Sequence, residues 1–177
     1  DGIFLINCNG TTIRGTISSG IGLVIGNGVR LIKCNNTQID ANVTGNDGLV
    51  AFSSQAISFK GVSHGHGTDA NGFRFENSDD ISICGDGFGG SGVSSGLVGI
   101  LTSNLKFCGQ YVGNSYDVHL INCPTSLACG QIGFDGSGSL RIEALKPIQF
   151  VGFEHLKVKN VSIDAPSIRQ VYIRELE

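Results

Sequence analysis

NGFRFENSDDISICG, Asn71 to Gly85, joins two runs in which apolar and polar residues alternate, Phe73-Arg74-Phe75 and Ile81-Ser82-Ile83, through a small polar turn. A period of two puts one face of each run inward and marks β-strands. The arrangement recurs. Ile6 and Cys8 lead through NGTT to Ile13, Ile32 and Cys34 through NNTQ to Ile39, Val50 and Phe52 through SSQA to Ile57, and Val98 and Ile100 through LTSN to Leu105. The markers Ile13, Ile39, Ile57, Ile81 and Leu105 are 26, 18, 24 and 24 residues apart, a mean of 23. Strands this short do not pair stably alone. Stacked about 4.8 Å apart they close each other's backbone ladders over a continuous apolar column. The fold class expected is therefore an all-β solenoid with coils of about 23 residues, the length changes falling in outer loops. A β-sandwich also uses short strands and turns, but has no reason to repeat this unit in register.

The 177 residues read as one domain. Regular coils occupy 1–123. All three prolines (124, 147 and 166) fall in 124–177, where apolar pairs persist at Leu140 and Ile142, Ile148 and Phe150, and Leu156 and Val158. The markers 140, 148 and 156 are eight apart, which suits three sides of one coil, so this part reads as tighter coils or a hairpin-type cap. Met is absent, which points to a processed or excerpted chain. Open solenoid ends are pairing edges, which a longer parent chain or an oligomer would cover.

A net charge of −3 supplies no basic stripe for nucleic acid. No apolar run approaches the roughly 20 residues of a membrane span. Of the six cysteines, Cys8 and Cys34 fall at one interior position, which the same alignment fills with Phe52, Phe75 and Ile100. An internal stack of small hydrophobes explains them; a disulfide or metal role is the alternative. Cys84 and Cys108 match each other, each before a glycine, and Cys123 and Cys129 flank a proline where a loop disulfide fits.

His64, His66 and Asp69 lie in a loop, where they read either as three ligands for a metal or as solvated side chains. No fourth ligand is evident, so no metal is assigned. GDGFGGSGV, Gly85 to Val93, has a weak likeness to a calcium-binding nonapeptide and reads as an outer loop. The turn Glu76 to Asp80 counts five residues against four in its sister copies, and three are carboxylates. Paired carboxylates can divide acid and base roles. Asp and Asn are also simply good turn residues.

Through DGIFLINCNGTTI, DGLVAFSSQAI and NGFRFENSDDISI, the chain resembles the right-handed parallel β-helix of the pectin-lyase-like superfamily, over residues 1 to about 123. The resemblance implies a fold shared by pectate lyases, polygalacturonases, phage tailspikes and surface adhesins, which differ in activity. Polygalacturonase motifs do not carry over: Gly65-His66-Gly67 precedes Asp79-Asp80, and Arg141-Ile142 is followed by Glu143. A lyase reading would imply a calcium-binding carboxylate cluster, with Arg74 the nearest basic residue.

The resemblance and the polar turn together lead to an expected polysaccharide-recognising segment of an extracellular or virion surface protein, tailspike-like or adhesin-like. Its partner would be a polysaccharide or cell-surface glycan, and it would act as a homotrimer. Arg74, Glu76, His64, His66 and Asp69 are the binding candidates, and Asp79 and Asp80 the catalytic pair of an alternative hydrolase or lyase. A purely structural solenoid is the third reading. It expects no groove beside the acidic turn.

Overall fold

A computed structural model describes residues 1–19, 26–133, 138–144, 150–164 and 171–176, and among these the chain is all β. The strands are β1 (Ile3–Ile6), β2 (Thr12–Ser18), β3 (Val29–Ile32), β4 (Asn35–Gly45), β5 (Leu49–Phe52), β6 (Gln55–Gly65), β7 (Phe73–Glu76) and β8 (Asp79–Phe88). They continue as β9 (Ser95–Ile100), β10 (Ser103–Val112), β11 (Tyr116–Ile121), β12 (Thr125–Ile132), β13 (Ser139–Glu143), β14 (Phe150–Lys157), β15 (Asn160–Asp164) and β16 (Val171–Leu176). Odd strands stack in order into one sheet and even strands into a second, with every pair parallel. This is the parallel β-solenoid expected from the repeat, with coils of about 24 residues. The strands β13 to β16 continue both ladders. Ile148, Pro147 and Pro166 lie outside the described residues.

The core is a column between the sheets. Phe73, Phe75, Ile81, Ile83, Leu105 and Phe107 are buried, as the alternation predicts, and Phe59 packs edge-on against Phe73 at 4.8 Å. Two details of the alignment are corrected. Ile39 pairs with Phe59 rather than Ile57, whose counterpart is Thr37, so that coil is 20 residues long and not 18. The shift is even, so the inward face is unchanged. The short sheet departs further. Phe52 and Ile100 register with Ile6, Ile32 and Glu76 on its outer face, whereas Leu5, Leu31, Ala51, Phe75 and Gly99 form the inner column. IFLI, VRLI and LVAF carry apolar residues on both faces, so alternation alone cannot choose between them.

Among the described residues, a two-residue corner follows each of the short strands β1, β3, β5, β7, β9 and β11. Its first residue is left-handed in all six: Asn7, Lys33, Ser53, Asn77, Leu101 and Asn122, with φ between 48° and 53°. Its second residue turns inward, and these are Cys8, Cys34, Ser54, Ser78, Thr102 and Cys123. Each donates to the carbonyl two residues back, as Ser54 does to Phe52 at 3.0 Å and Ser78 to Glu76 at 3.0 Å. The Ser78 hydroxyl also accepts from the Ser54 backbone amide at 3.2 Å, and Ser54 in turn accepts from Cys34 at 3.1 Å. Cys8 and Cys34 are thus free inward thiols of a Cys/Ser/Thr ladder, and their counterparts are Ser54 and Ser78, not the phenylalanines.

At the far end of each coil, before the next short strand, Asp1, Asn27, Asp47 and Asn71 form a second ladder. Asp47 accepts from the Asn71 amide at 2.6 Å, and Asn71 accepts from Ser95 at 3.0 Å. Buried backbone donors find their partners one coil away.

Candidate functional site

The acidic turn is an ordinary corner. Phe52, Glu76 and Ile100 share one register column and Gln55, Asp79 and Ser103 another, with two residues between them in each coil. No residue is inserted. The apparent fifth residue came from placing the wrong face of the short strands inward in the sister copies.

Glu76 closes β7 on the outer face of the short sheet. It accepts from Arg74 Nε at 2.6 Å, and Arg74 Nη2 lies 2.5 Å from the same oxygen. The pair is partly exposed and tied internally. Asp79 opens β8, where its Oδ1 accepts from Ser103 Oγ at 2.5 Å and from Asn104 Nδ2 at 3.1 Å. Asp80 accepts from the same Asn104 nitrogen at 3.0 Å. The two carboxylates therefore lie close enough to share one donor. Asp80 is itself left-handed, φ 53°, in a column with Gly10, Asn36, Ala56 and Asn104.

Asp79 borders a groove of about 480 Å³ that runs along the corner. It is lined by the column Asn35, Gln55, Asp79 and Ser103, one polar side chain per coil, together with Ser53, Asn77 and Leu101. The groove follows from the corner geometry: the left-handed residue lifts the chain outward, and the residue after the inward Ser or Thr is left facing the channel.

The candidates His64, His66 and Asp69 lie elsewhere, and His64 is not in a loop: it belongs to β6, paired to Thr44 and Phe88, so only His66 and Asp69 follow the strand. His64 registers with Phe88, nine steps along β8 from Asp79 and so up to about 30 Å away at about 3.3 Å per step. Its ring stacks on Phe88 at 4.6 Å and lies nearly parallel to His66 at 5.8 Å. Partial burial holds its pKa below 6.5, and His66 adds to the effect. Asp69 accepts from the Val93 amide at 2.6 Å and so anchors the next loop. The structure brings Arg74, Glu76, Asp79 and Asp80 to one corner and leaves His64, His66 and Asp69 at the other end of the coil. The expectation that one flank presents both groups is not met.

Among the described residues, no three His, Cys, Asp or Glu side chains could hold a metal together. Calcium takes six to eight oxygens. The Asp79 and Asp80 pair accepts from Ser103 and Asn104, and no third carboxylate joins it among the described residues. The nonapeptide-like stretch is also corrected: Gly85 to Phe88 belongs to β8, paired to β6 and β10, and is not an outer loop.

A second cluster escaped the sequence reading. On the outer face of the short sheet, Glu143 accepts from His119 Nε2 at 2.8 Å and pairs with Arg141 at 2.5 Å, and Arg141 donates to the Tyr116 hydroxyl at 2.7 Å. The hydrogen bond from His119 lowers the Glu143 pKa, against partial burial. Tyr116 and Arg141 line a cavity of about 450 Å³ with Lys159 and Asn160. Spacings of 22 to 25 residues between these side chains are one coil, so register was the signal that could have joined them.

Compared with protein-family models, curated proteins and solved structures, the chain matches none. Its fold and its residues carry the functional reading.

Proposed function

We propose that the chain is a polysaccharide-recognising segment of an exported or virion surface protein, a right-handed β-helix of the pectin-lyase-like kind that acts as a tailspike or adhesin does. The corner groove beside Asp79 is the observation that carries this reading. A polymer of repeating hydroxylated units is matched by a channel that offers an amide, a carboxylate or a hydroxyl once per coil, about 4.8 Å apart. The structural-solenoid reading expects no such groove. Arg74 and Glu76, on the short strand that leads into this corner, are the neighbouring charged pair, and His64, His66 and Asp69 lie away from the groove.

Exposed apolar side chains on the outer face of the short sheet favour a homotrimer. Phe4 and Ile6 are 48% and 49% exposed, and Arg30 lies over the Phe4 ring at 5.4 Å and the Phe52 ring at 5.7 Å. A packing face between subunits would cover them.

The alternative is a polysaccharide-cleaving enzyme that uses Asp79 and Asp80, and the shared Asn104 donor favours it to the extent that it holds two carboxylates together. A glycan array followed by Asp79→Asn and Gln55→Ala distinguishes these readings. Recognition at the groove predicts at least tenfold weaker binding in each variant, the size of a lost polar contact of about 1.5 kcal/mol. Binding that neither variant changes excludes the groove, and release of reducing ends or unsaturated products selects the enzyme.

A further inference from the structure

Three Cys-Gly dipeptides, Cys84-Gly85, Cys108-Gly109 and Cys129-Gly130, occupy one register column in β8, β10 and β12. Cys108 and Cys129 form a disulfide with their Cα atoms 4.6 Å apart, whereas Cys84 is a free, exposed thiol. This corrects the sequence reading, which offered Cys129 the nearby Cys123. Cys123 is an inward corner residue, and burial pushes its thiol up to about 11.

We propose that this column is a thiol–disulfide exchange site in which the bond moves between Cys108–Cys129 and Cys84–Cys108. Cys84 follows the inward Ile83 just as Cys108 follows the inward Phe107, so all three cysteines lie on the outer face. Adjacent parallel strands keep Cys84 and Cys108 about 4.8 Å apart, inside the 4.4–6.8 Å range of bonded cysteines. The glycines hold this register tightly. A Cβ on Gly85 would meet the Gly61 carbonyl, one on Gly109 the Gly85 carbonyl, and one on Gly130 the Gly109 carbonyl. Attacking, central and leaving residues therefore stand in one line.

The Cys84 thiol gives its proton to solvent, and its sulfur attacks Cys108 Sγ. The Cys108–Cys129 bond breaks, its electron pair leaves on Cys129 Sγ, and that thiolate takes up a proton. One disulfide and one thiol remain, so no oxidant is consumed. On the other side of Cys84 the column continues with Lys60, which ends the exchange after one step.

The test is to hold the protein at pH 8 without reductant, quench it in acid, alkylate it and map the cross-linked peptides. Exchange predicts both linkages in the wild type, with Cys84 and Cys129 alkylated in complementary fractions. Cys84→Ser should then show only the Cys108–Cys129 linkage, and Cys129→Ser with oxidised glutathione should form Cys84–Cys108. A wild type that carries Cys108–Cys129 alone with Cys84 fully alkylated would overturn the proposal, as would a Cys129→Ser protein whose Cys84 and Cys108 remain unpaired while circular dichroism shows it folded.

Discussion

Asn104 stands one coil beyond Asp80 in the same register column, and its side-chain amide donates to that carboxylate at 3.0 Å. Four of the five left-handed positions in that column are Gly, Asn or Asp: Gly10, Asn36, Asp80 and Asn104. These residues tolerate positive φ better than others do. Ala56, at φ 52°, is the exception. Ala56→Asn should raise stability by about 1 kcal/mol, read as a higher urea midpoint at unchanged slope. A lower midpoint would mean that the turn tolerates Ala without strain.

The inward corner ladder predicts a contrast at one position. Ser78→Ala leaves the buried Ser54 amide without its acceptor and should cost about 1–3 kcal/mol. Ser78→Cys should cost less, because Cys34 and Cys123 already fill equivalent corners. Denaturation midpoints for the two variants decide it; equal losses would mean that a thiol does not replace the hydroxyl as acceptor for the Ser54 amide.

Three buried hydroxyls, Tyr111 Oη, Thr37 Oγ1 and Ser126 Oγ, have no hydrogen-bond partner among the described residues, and the first two allow a shape-conserving test. Removal of an unpaired buried polar group that leaves the shape intact is neutral or stabilising. Tyr111→Phe keeps the ring against Phe107, 5.4 Å away, and Thr37→Val keeps the branched shape below Ile57. Neither variant should lose stability, and each should gain up to about 1 kcal/mol by urea titration. A loss of that size would show that the hydroxyl is satisfied in solution.

His64 ties stability to pH. Its folded pKa lies below 6.5 because partial burial disfavours the charged ring and His66 adds to this. Above pH 6.5 the imidazole is neutral in both states and its contribution is complete. Below 6.5 the unfolded chain binds a proton that the folded chain resists, so stability falls as the pH falls. His64→Phe keeps an aromatic ring on Phe88 and should flatten the dependence of unfolding free energy on pH below 6.5. An unchanged slope would place the effect on other groups.

The repeat was legible because the long strands alternate cleanly: Ile81 and Ile83, and Leu105 and Phe107, face inward as their spacing indicates. The inner face of the short strands was not, because Phe52 and Ile100 are as apolar as the residues that fill the core, and only the left-handed corner residue decides which side turns in. That one ambiguity produced the apparent extra residue near Asp79. Asp79 and Asp80 were visible as a carboxylate pair, yet the groove beside them is built from Asn35, Gln55 and Ser103, residues of three other coils whose alignment depends on register. The Tyr116, His119, Arg141 and Glu143 cluster was hidden for the same reason.

Amide hydrogen exchange with and without a bound polysaccharide, chosen from the array, tests the groove most directly. Recognition at the corner predicts slowed exchange at Asn35, Gln55, Asp79 and Ser103, with none at the distant His64 to Asp69 segment. Protection confined to that segment or to the Tyr116 and Arg141 face, with the four corner amides unchanged, would contradict it.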